Sequence, residues 1–433
     1  MVSDDYDVIV AGGSLAGCAV AILLGRRGLR VAVLESHRDP AFYKRACTHL
    51  IQPTALPTVR RLGLDTAIEA AGGVRMYTSM WTPAGWANER GAGHPDRHGY
   101  TVRRSVLDPL IRKIAAATPG VELVLGAKVV GLHRDGNGRI GGVVARIDDA
   151  ETTVRARLVV GADGASSRVA PEAGLRAVSS PNRRSCYFAY FRNVPVEEGN
   201  FRVWLRPPDA LGLIGADDGL TLISMLLDAP HVREFLADKE NYLRRRFADV
   251  PDPPDLSAAV RVSEFIGARD KPNLTRRRIV RPGLALVGDA ALVADPLRGV
   301  GCGWALEGAE WLADATADAL TVGDTDGLDA ALRRYQRQHR RALWPQQFLF
   351  NRNARLAIPP WGFRKVISTM ASDPQVAELF WPVVQRAAPA SSILTPHVLT
   401  ALRRSSGANR DAWYHPRTAG SGATGELPRR AEQ

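Results

Sequence analysis

The chain has 433 residues, 45% of them hydrophobic and 24% charged, which excludes a disordered, collagen-like or disulfide-stapled chain and gives length for two domains around a large core. Its net charge of +12 comes mostly from arginine, with clusters in LRRRF (243–247) and TRRRIVR (275–281). With no basic stripe interleaved with aromatics, this charge reads as a solvated surface and predicts no nucleic-acid partner.

The N-terminal MVSDDYDVIV is acidic and enters a strand at once, unlike a signal peptide. No apolar run reaches about 18 residues, so no membrane span is expected. Cys18, Cys47, Cys186 and Cys302 are scattered without metal-ligand spacing. They predict reduced thiols, no bound metal and a cytoplasmic location.

YDVIVA (6–11) predicts a buried strand, GGSLAG (12–17) a glycine turn, CAVAILLGRRG (18–28) a helix closing at Gly28, and LRVAVLE (29–35) a second strand ending at Glu35. Strand, turn, helix and strand within about thirty residues is the context of a dinucleotide-binding turn. Ser14 stands where Gly-x-Gly-x-x-Gly has its middle glycine. Gly12 permits the sharp turn and Gly17 lets the helix pack on the strand. Ser14 is small enough for phosphates to approach the backbone, and its hydroxyl can donate to one. The helix N-terminus aims its amides and positive dipole end at a pyrophosphate. Glu35 is placed for ribose hydroxyls and repels a 2′-phosphate, so FAD or NAD is expected, not NADP.

PTALPTVRRLGL (53–64) predicts a short helix ended by Gly63. Residues 76–100, rich in Trp, Tyr, Gly and His, predict strands and loops. VRRSVLDPLIRKIAAA (102–117) predicts a helix with Val106, Leu110, Ile114 and Ala117 near one face. Residues 121–147 predict strands joined by a hairpin turn at 135–138. ARLVVGADGASS (156–167) predicts a strand and a turn. Residues 185–265 predict alternating strands with a helix near 231–248, residues 283–320 strand, loop and helix, and residues 327–380 mainly helix. The final Gly-, Ser-, Arg- and Pro-rich stretch predicts disorder. Two further strand ends carry Asp beside Gly: VVGADGASSRV at Asp163 and Gly164, and LALVGDAALVADPLRGVGCG at Gly288 and Asp289. Three strand ends of one parallel sheet would converge on one extended cofactor.

With GGSLAG, GADGASSR and VGDAALVADPLRGVG in this order, residues 5–345 resemble the FAD-dependent aromatic hydroxylase superfamily. That superfamily also holds squalene-type epoxidases, geranylgeranyl reductases and flavin-dependent halogenases. With the elements above, the resemblance implies an α/β fold with a Rossmann-like FAD-binding domain (1–75, 101–170 and 266–345). It further implies a mixed-sheet substrate domain (76–100 and 171–265), a C-terminal helical region (346–404) and a disordered tail (405–433). Non-covalent FAD is implied, with Gly12, Ser14, Leu15, Ala16 and Gly17 at the pyrophosphate and Glu35 and Ser36 at the adenosine ribose. Arg45 and Arg104 fall beside the cofactor, and the Val129 backbone at the adenine. Asp163 and Gly164 are tied to FAD and nicotinamide positioning, Gly288 and Asp289 to the ribityl and ribose-phosphate region. Pro296, Gly299, Val300 and Gly301 lie along the isoalloxazine, with amides toward the edge where charge gathers on reduction. His49, Pro296 and Arg298 are the candidate catalytic residues near the flavin.

No second glycine fingerprint appears, so NADH or NADPH is expected as a transient reductant, or a partner flavin reductase as electron source. The hydroxylase pattern implies an NAD(P)H- and O2-dependent monooxygenase that hydroxylates or epoxidises an apolar small molecule, aromatic or polyketide-like, in secondary metabolism such as antibiotic biosynthesis. Trp81, Trp86, Phe188, Tyr190, Phe191 and Trp204 are candidates to line its cavity. The alternative is a C=C reductase. GCGWALEGAE (301–310) carries Gly308 where many hydroxylases carry Asp, and RACTHLIQPTAL (45–56) is similar to the Cys-containing segment of the geranylgeranyl reductase branch. LGLIGADDGLTLISML (211–226) lacks the Trp-x-Trp-x-Ile-Pro motif of halogenases. Retention of all three FAD motifs weighs against a non-catalytic flavoprotein.

Overall fold

The strand Asp5–Ala11 lies inside an eight-stranded sheet, parallel to Ala150–Gly161 on one side and to Val31–Glu35 on the other. Leu284–Leu286 extends the sheet beyond Ala150–Gly161, and Val121–Leu125 beyond Val31–Glu35, again in parallel. A strand covered on both faces loses the alternation of polar and apolar residues, and Val8, Ile9 and Val10 are all fully buried. The structure, a computed structural model, describes residues 5–88, 97–268, 271–405 and Trp413. The expected disordered tail falls outside the described residues, apart from Ser405 and Trp413. No helix among the described residues is long and apolar enough to cross a membrane.

All eleven residues of the Leu15–Gly25 helix are buried, between the sheet and the helices Arg104–Ala116 and Gly301–Val322. It ends at Gly25 rather than Gly28, because the Arg26 amide closes the last turn on Ile22 and the chain then turns tightly through Gly28. The hairpin expected at 135–138 joins the strands Lys128–Arg134 and Ile140–Ile147, and the Asp135 carboxylate accepts from the amides of Asn137 and Arg139. Gly63 ends the Leu56–Leu62 helix at φ +72°.

The Arg104–Ala116 helix forms, but its buried face differs from the expected one. Arg104, Leu107, Asp108, Ile111, Arg112 and Ala115 point inward, while Val106, Leu110 and Ile114 are half-buried at its edge and Ala117 is exposed. The apolar pattern misleads here because three charged side chains occupy the inner stripe.

A second, ten-stranded sheet contains Arg184–Arg192, Asn200–Arg206, Asp209–Gly215 and Thr221–Asp228, and continues through Val74–Thr82 to Gly99–Thr101 and Leu50–Ile51. Side chains alternate along each strand. Phe188, Val203, Leu205, Ile214 and Leu222 face the C-terminal helices Trp361–Ser372, Pro374–Val384 and Pro396–Arg404. Tyr187, Phe191, Trp204, Leu213 and Ile223 face the helices Ala229–Ala237 and Lys239–Ala248. Those two helices replace the single one expected near 231–248. The chain breaks at Asp238, whose carboxylate caps the second through the Asn241 amide. The 30-residue helix Thr325–Ala354 packs along Gly301–Val322. An Arg386–Glu307 ion pair ties the C-terminal helices to Gly301–Val322.

Gly17 is a packing constraint with a direct test. A Cβ there would come within 1.9 Å of the Gly12 carbonyl oxygen, whereas one at Gly301 would meet no atom within 4 Å. Gly17→Ala is expected to cost about 1–3 kcal/mol or more by overpacking. Gly301→Ala should leave the thermal unfolding midpoint close to that of the unsubstituted protein.

Candidate functional site

Three adjacent parallel strands, Asp5–Ala11, Ala150–Gly161 and Leu284–Leu286, deliver the three glycine motifs to one end of the sheet. Gly12 sits at φ +109°, and a Cβ there would press to 2.6 Å from the Ala162 carbonyl oxygen. Gly288, at φ +58°, meets Ala16: an added Cβ would lie 2.9 Å from the Ala16 Cβ. The first motif is therefore packed directly against the second and the third.

Glu35 closes the first turn. Its Oε2 accepts from the Gly13 amide at 2.8 Å, and its Oε1 from the His37 amide at 2.9 Å, the His37 ring at 2.7 Å and the Ser36 hydroxyl at 3.1 Å. Burial pushes the carboxyl upward, but the His37 and Gly13 amides and the His37 ring outweigh it, so its pKa lies below the ordinary value. Ala127 donates to the Glu35 carbonyl and Gly126 to that of His37. These bonds bring Val129, at the start of the Lys128–Arg134 strand, close to this corner.

Ser14 precedes the Leu15–Gly25 helix but does not cap it with its side chain. Its Oγ accepts from Arg104 Nη2 at 2.8 Å, which leaves the hydroxyl proton free to donate elsewhere. Arg104 is buried and paired with Asp108, one turn further along its helix, at 2.6 Å. Arg103, its neighbour, points away to Asp217 at 2.7 Å. Arg112 donates to the carbonyls of Gly13 (3.1 Å), Pro40 (3.1 Å) and Phe42. Asp289 is held by Lys44 Nζ at 2.6 Å. Asp163 caps the helix Val169–Glu172 through the amides of Arg168 and Val169, while its other oxygen is buried with no partner among the described residues. Gly164 sits at φ +79° facing open space.

The segment from Asp295 to Gly303 walls one cavity through Pro296 and Leu297, and its Cys302 touches Cys47, which lines a second. Asp295 is buried against Arg184 at 2.6 Å and caps its own turn through the Leu297 amide. Gly299 lies at φ +58° against Leu50. Val300 opens the 22-residue Gly301–Val322 helix, whose first amides lack a side-chain cap. Arg298 is enclosed between Phe350 and Phe363, 5.1 Å from each ring. On one side, a groove of ≈ 410 Å³ is lined by Tyr43, Arg45, Cys47, Arg104 and Tyr190. On the other, Pro296 and Leu297 close a cavity against Leu50, Cys186, Phe201, Val203, Leu222 and Leu226.

His49 is wholly buried between these spaces at φ +51°. Thr101 Oγ1 lies 3.1 Å from its Nδ1, Tyr190 stacks on its ring, and its Nε2 has no partner among the described residues. Burial pushes its pKa down to about 4. Cys47 and Cys302 lie 3.7 Å apart between sulfurs. The hydrogen bond from Cys302, with Arg104 and Lys44 nearby, holds the Cys47 thiol well below its ordinary value against the effect of burial.

Residues 5–344 match the model of a family described as FAD binding domain. The chain belongs to that family. Among its relatives is the aurachin C monooxygenase/isomerase of Stigmatella aurantiaca, 29% identical over 76% of this chain and 84% of that protein. Another is digeranylgeranylglycerophospholipid reductase 1 of Methanococcoides burtonii, 25% identical over 78% and 80%. The structure of Pseudomonas aeruginosa PqsL in complex with 2-aminobenzoylacetate superposes with a TM-score of 0.67 and 22% identity, over 86% of this chain and 98% of that one. That similarity is one of fold.

This FAD-binding protein has room for its cofactor where the motifs meet. Among the described residues, a Cβ added at Gly164 or Gly301 would meet no atom within 4 Å, Asp163 Oδ1 and His49 Nε2 have no hydrogen-bond partner, and uncapped amides open Gly301–Val322. The geometry gathers Gly12, Ser14, Leu15, Ala16, Gly17, Glu35, Arg104, Gly288 and Asp289 at one sheet end. Ser36 and Arg45 stand exposed at its margin. Sequence reasoning missed Lys44, Asp108, Arg112 and the Cys47–Cys302 contact. Asp108 was discoverable, since it follows Arg104 by four residues on a helix; the others meet partners far away in the chain. No described group of His, Cys, Asp and Glu side chains is arranged to hold a metal.

Four of the six aromatics expected around a cavity belong elsewhere. Trp81, Trp86, Phe191 and Trp204 pack into the core on the opposite sheet face, because they occupy the strand positions that point away from Asp295–Gly303. Phe188 and Tyr190 remain on the cavity face.

Glu35→Ala is expected to weaken FAD binding by about 1–3 kcal/mol, since a buried set of donors loses its acceptor. Titration of the apoprotein with FAD measures it. Because the folded pKa of Glu35 is depressed, the stability it contributes is complete above its ordinary value of 4.5 and is lost as pH falls through the lower folded value. Acid unfolding of Glu35→Gln should lack that component.

Proposed function

We propose that this protein is an FAD-dependent monooxygenase that uses NAD(P)H and O2 to hydroxylate or epoxidise an apolar small molecule, aromatic or polyketide-like. In this reading residues 1–75, 101–170 and 266–345 form the FAD-binding domain, and residues 76–100 and 171–265 the substrate domain. The observation that carries it is the cavity against Pro296 and Leu297. Among the described residues, Thr48, Ser224 and Cys186 are its only polar or sulfur-bearing linings, and no carboxylate, imidazole or ammonium of theirs enters it. Such a site leaves bond-making to the cofactor and contributes shape and dryness. Bound FAD supplies oxygen-atom transfer from O2 once reduced. The aurachin C relative, named as a monooxygenase, supports the same chemistry.

The chain's own residues would then divide the work. Gly12 to Gly17, Glu35 with Ser36, Arg45, Arg104, Val129, Asp163, Gly164, Gly288 and Asp289 hold the cofactor. The amides at Val300 and Gly301 favour negative charge at the helix N-terminus, while that of Gly299 is taken by the Pro296 carbonyl. Pro296 and Leu297 form the wall of the substrate space. That space is ≈ 20 Å³, room for about one water, so a substrate enters by displacing Leu297 and its loop. His49 acts as a neutral hydrogen-bonding group, because burial keeps it uncharged at pH 7. A reducing, cytoplasmic setting suits the four free thiols, and the electrons come from NAD(P)H directly or through a partner flavin reductase.

A second reading, C=C reduction, draws on Gly308 in the helix start and on the phospholipid-reductase relative. Isotope labelling separates the two. With NAD(P)H, ¹⁸O2 and a panel of aromatic and polyene compounds, the product should gain one ¹⁸O, and anaerobic enzyme should make none even after reduction. A product two hydrogens heavier formed without O2 would establish the reductase instead. The pH profile of kcat should show no limb near 6.5 from His49, whose titration lies near 4; such a limb, abolished in His49→Asn, would contradict its neutral role.

A further inference from the structure

Between Asp329 and Asp373 the sequence contains no Asp or Glu, yet this stretch carries Arg333, Arg334, Arg337, Arg340, Arg341 and Arg352. These arginines lie on the long helix Thr325–Ala354. Arg337, Arg340 and Arg341 frame, with Trp344, Pro345 and Phe348, a shallow surface depression of ≈ 490 Å³. A second, of ≈ 510 Å³, shares Arg337 and Arg341 with Arg334. Spacings of three and four residues put Arg337, Arg341, Trp344, Phe348 and Arg352 along one stripe. Arg340 lies over the Trp344 ring at 4.3 Å. No ion pair among the described residues engages Arg337, Arg340 or Arg341; Asp329, at the far end of the helix, is taken by Arg139.

Where this helix ends, the surface turns apolar. Phe348 is 67% exposed and Trp361, which opens the next helix, 63%; Leu349 and Leu356 are exposed between them. Scattered apolar residues are ordinary on a surface, but a run of large ones beside a one-sign charge field marks an interaction site. The flavin loop is adjacent: Phe350 and Phe363, from the same two helices, clamp Arg298.

We propose that this face docks on an anionic phospholipid bilayer. The arginines meet headgroup phosphates, while Phe348, Leu349 and Trp361 enter the interface, where aromatic side chains are favoured. Charge selects this occupant over the others. A second copy would set one arginine stripe against another. The segment after Ser405 carries Arg410, Arg417, Arg429 and Arg430 against Asp411, Glu426 and Glu432, and so offers no acidic complement. Docking does not depend on the reaction proposed above, and its readout needs no turnover.

The test is sedimentation of the full-length, FAD-loaded protein with extruded phosphatidylcholine vesicles, with and without one quarter phosphatidylglycerol. Binding is expected to the anionic vesicles, to fall at least tenfold without phosphatidylglycerol, and to fall steeply with salt. Phe348→Ser with Trp361→Ser, and separately Arg337→Gln with Arg341→Gln, should each lower partitioning at least tenfold with unchanged flavin absorbance and thermal midpoint. Brominated acyl chains should quench tryptophan fluorescence of the unsubstituted protein, a readout that needs no variant. The proposal is overturned by absence of binding to anionic vesicles at low salt, by absence of that quenching, or by folded variants that bind as tightly as the parent. It is equally overturned if light scattering shows a dimer that the same substitutions abolish, which would assign the face to a second copy.

Discussion

A guanidinium leaves water only where fixed partners replace the water it loses. Arg104 is buried beside the first glycine turn, and its partners come from three places: Ser14 from that turn, Asp108 from its own helix, and Cys302 from the start of the helix that follows the Asp295–Val300 segment. One cation therefore sets the distance between the first motif and the last. Removing Asp108 would leave it buried and uncompensated, a loss of about 3–5 kcal/mol. That exceeds the penalty for shaving a methylene from the surrounding core, about 1 kcal/mol. Lys44 and Asp289 make a second, more exposed link between the segment after Glu35 and the third motif.

The parallel sheet was legible because its evidence is local and redundant. Continuous apolar runs, a glycine turn and a strand-ending acid all lie within about thirty residues. The hairpin at Asp135 and the helix end at Gly63 were legible for the same reason: each is decided by the residues that form it. The Arg104–Ala116 helix shows the limit. Its period is visible, but its inner face is set by Arg104, Asp108 and Arg112, whose burial is explained only by Ser14, Gly13 and Phe42 far away in the chain. Reading apolar residues as inward-facing placed the stripe one residue off.

The second sheet fails differently. Its strands were recognisable, but both of its faces are buried, so composition does not tell which face meets the Asp295–Gly303 segment. A shift of one residue exchanges the faces. Cys186, Phe188 and Tyr190 therefore lie toward Asp295–Gly303 while Tyr187 and Phe191 lie away, and the fully buried Trp204 serves the outer core with Trp86 and Phe247. Register and the position of the Asp295–Gly303 segment fix this, and neither is written in one strand.

The positive charge is also not one thing. Read from composition, the arginine clusters are a solvated surface, but the structure divides them. In TRRRIVR, Arg276 is buried and donates to the carbonyls of Leu175 and Ala290, and Arg281 to those of Ala173 and Gly174, while Arg277 and Arg278 are exposed. In LRRRF, Arg244 donates to the Leu256 and Ala259 carbonyls and Arg246 pairs with the buried Asp209, while Arg245 is exposed. A guanidinium with five donors can satisfy several loop carbonyls at once, so many of these residues act as internal staples in segments that lack regular backbone pairing. The staples consume their charge locally. The stretch from 330 to 372 holds no acid, and among the described residues no ion pair engages Arg337, Arg340 or Arg341 on Thr325–Ala354. Part of the chain's positive charge thus stays unspent on the helix face beside the exposed aromatics, where Arg337, Arg340 and Arg341 are exposed.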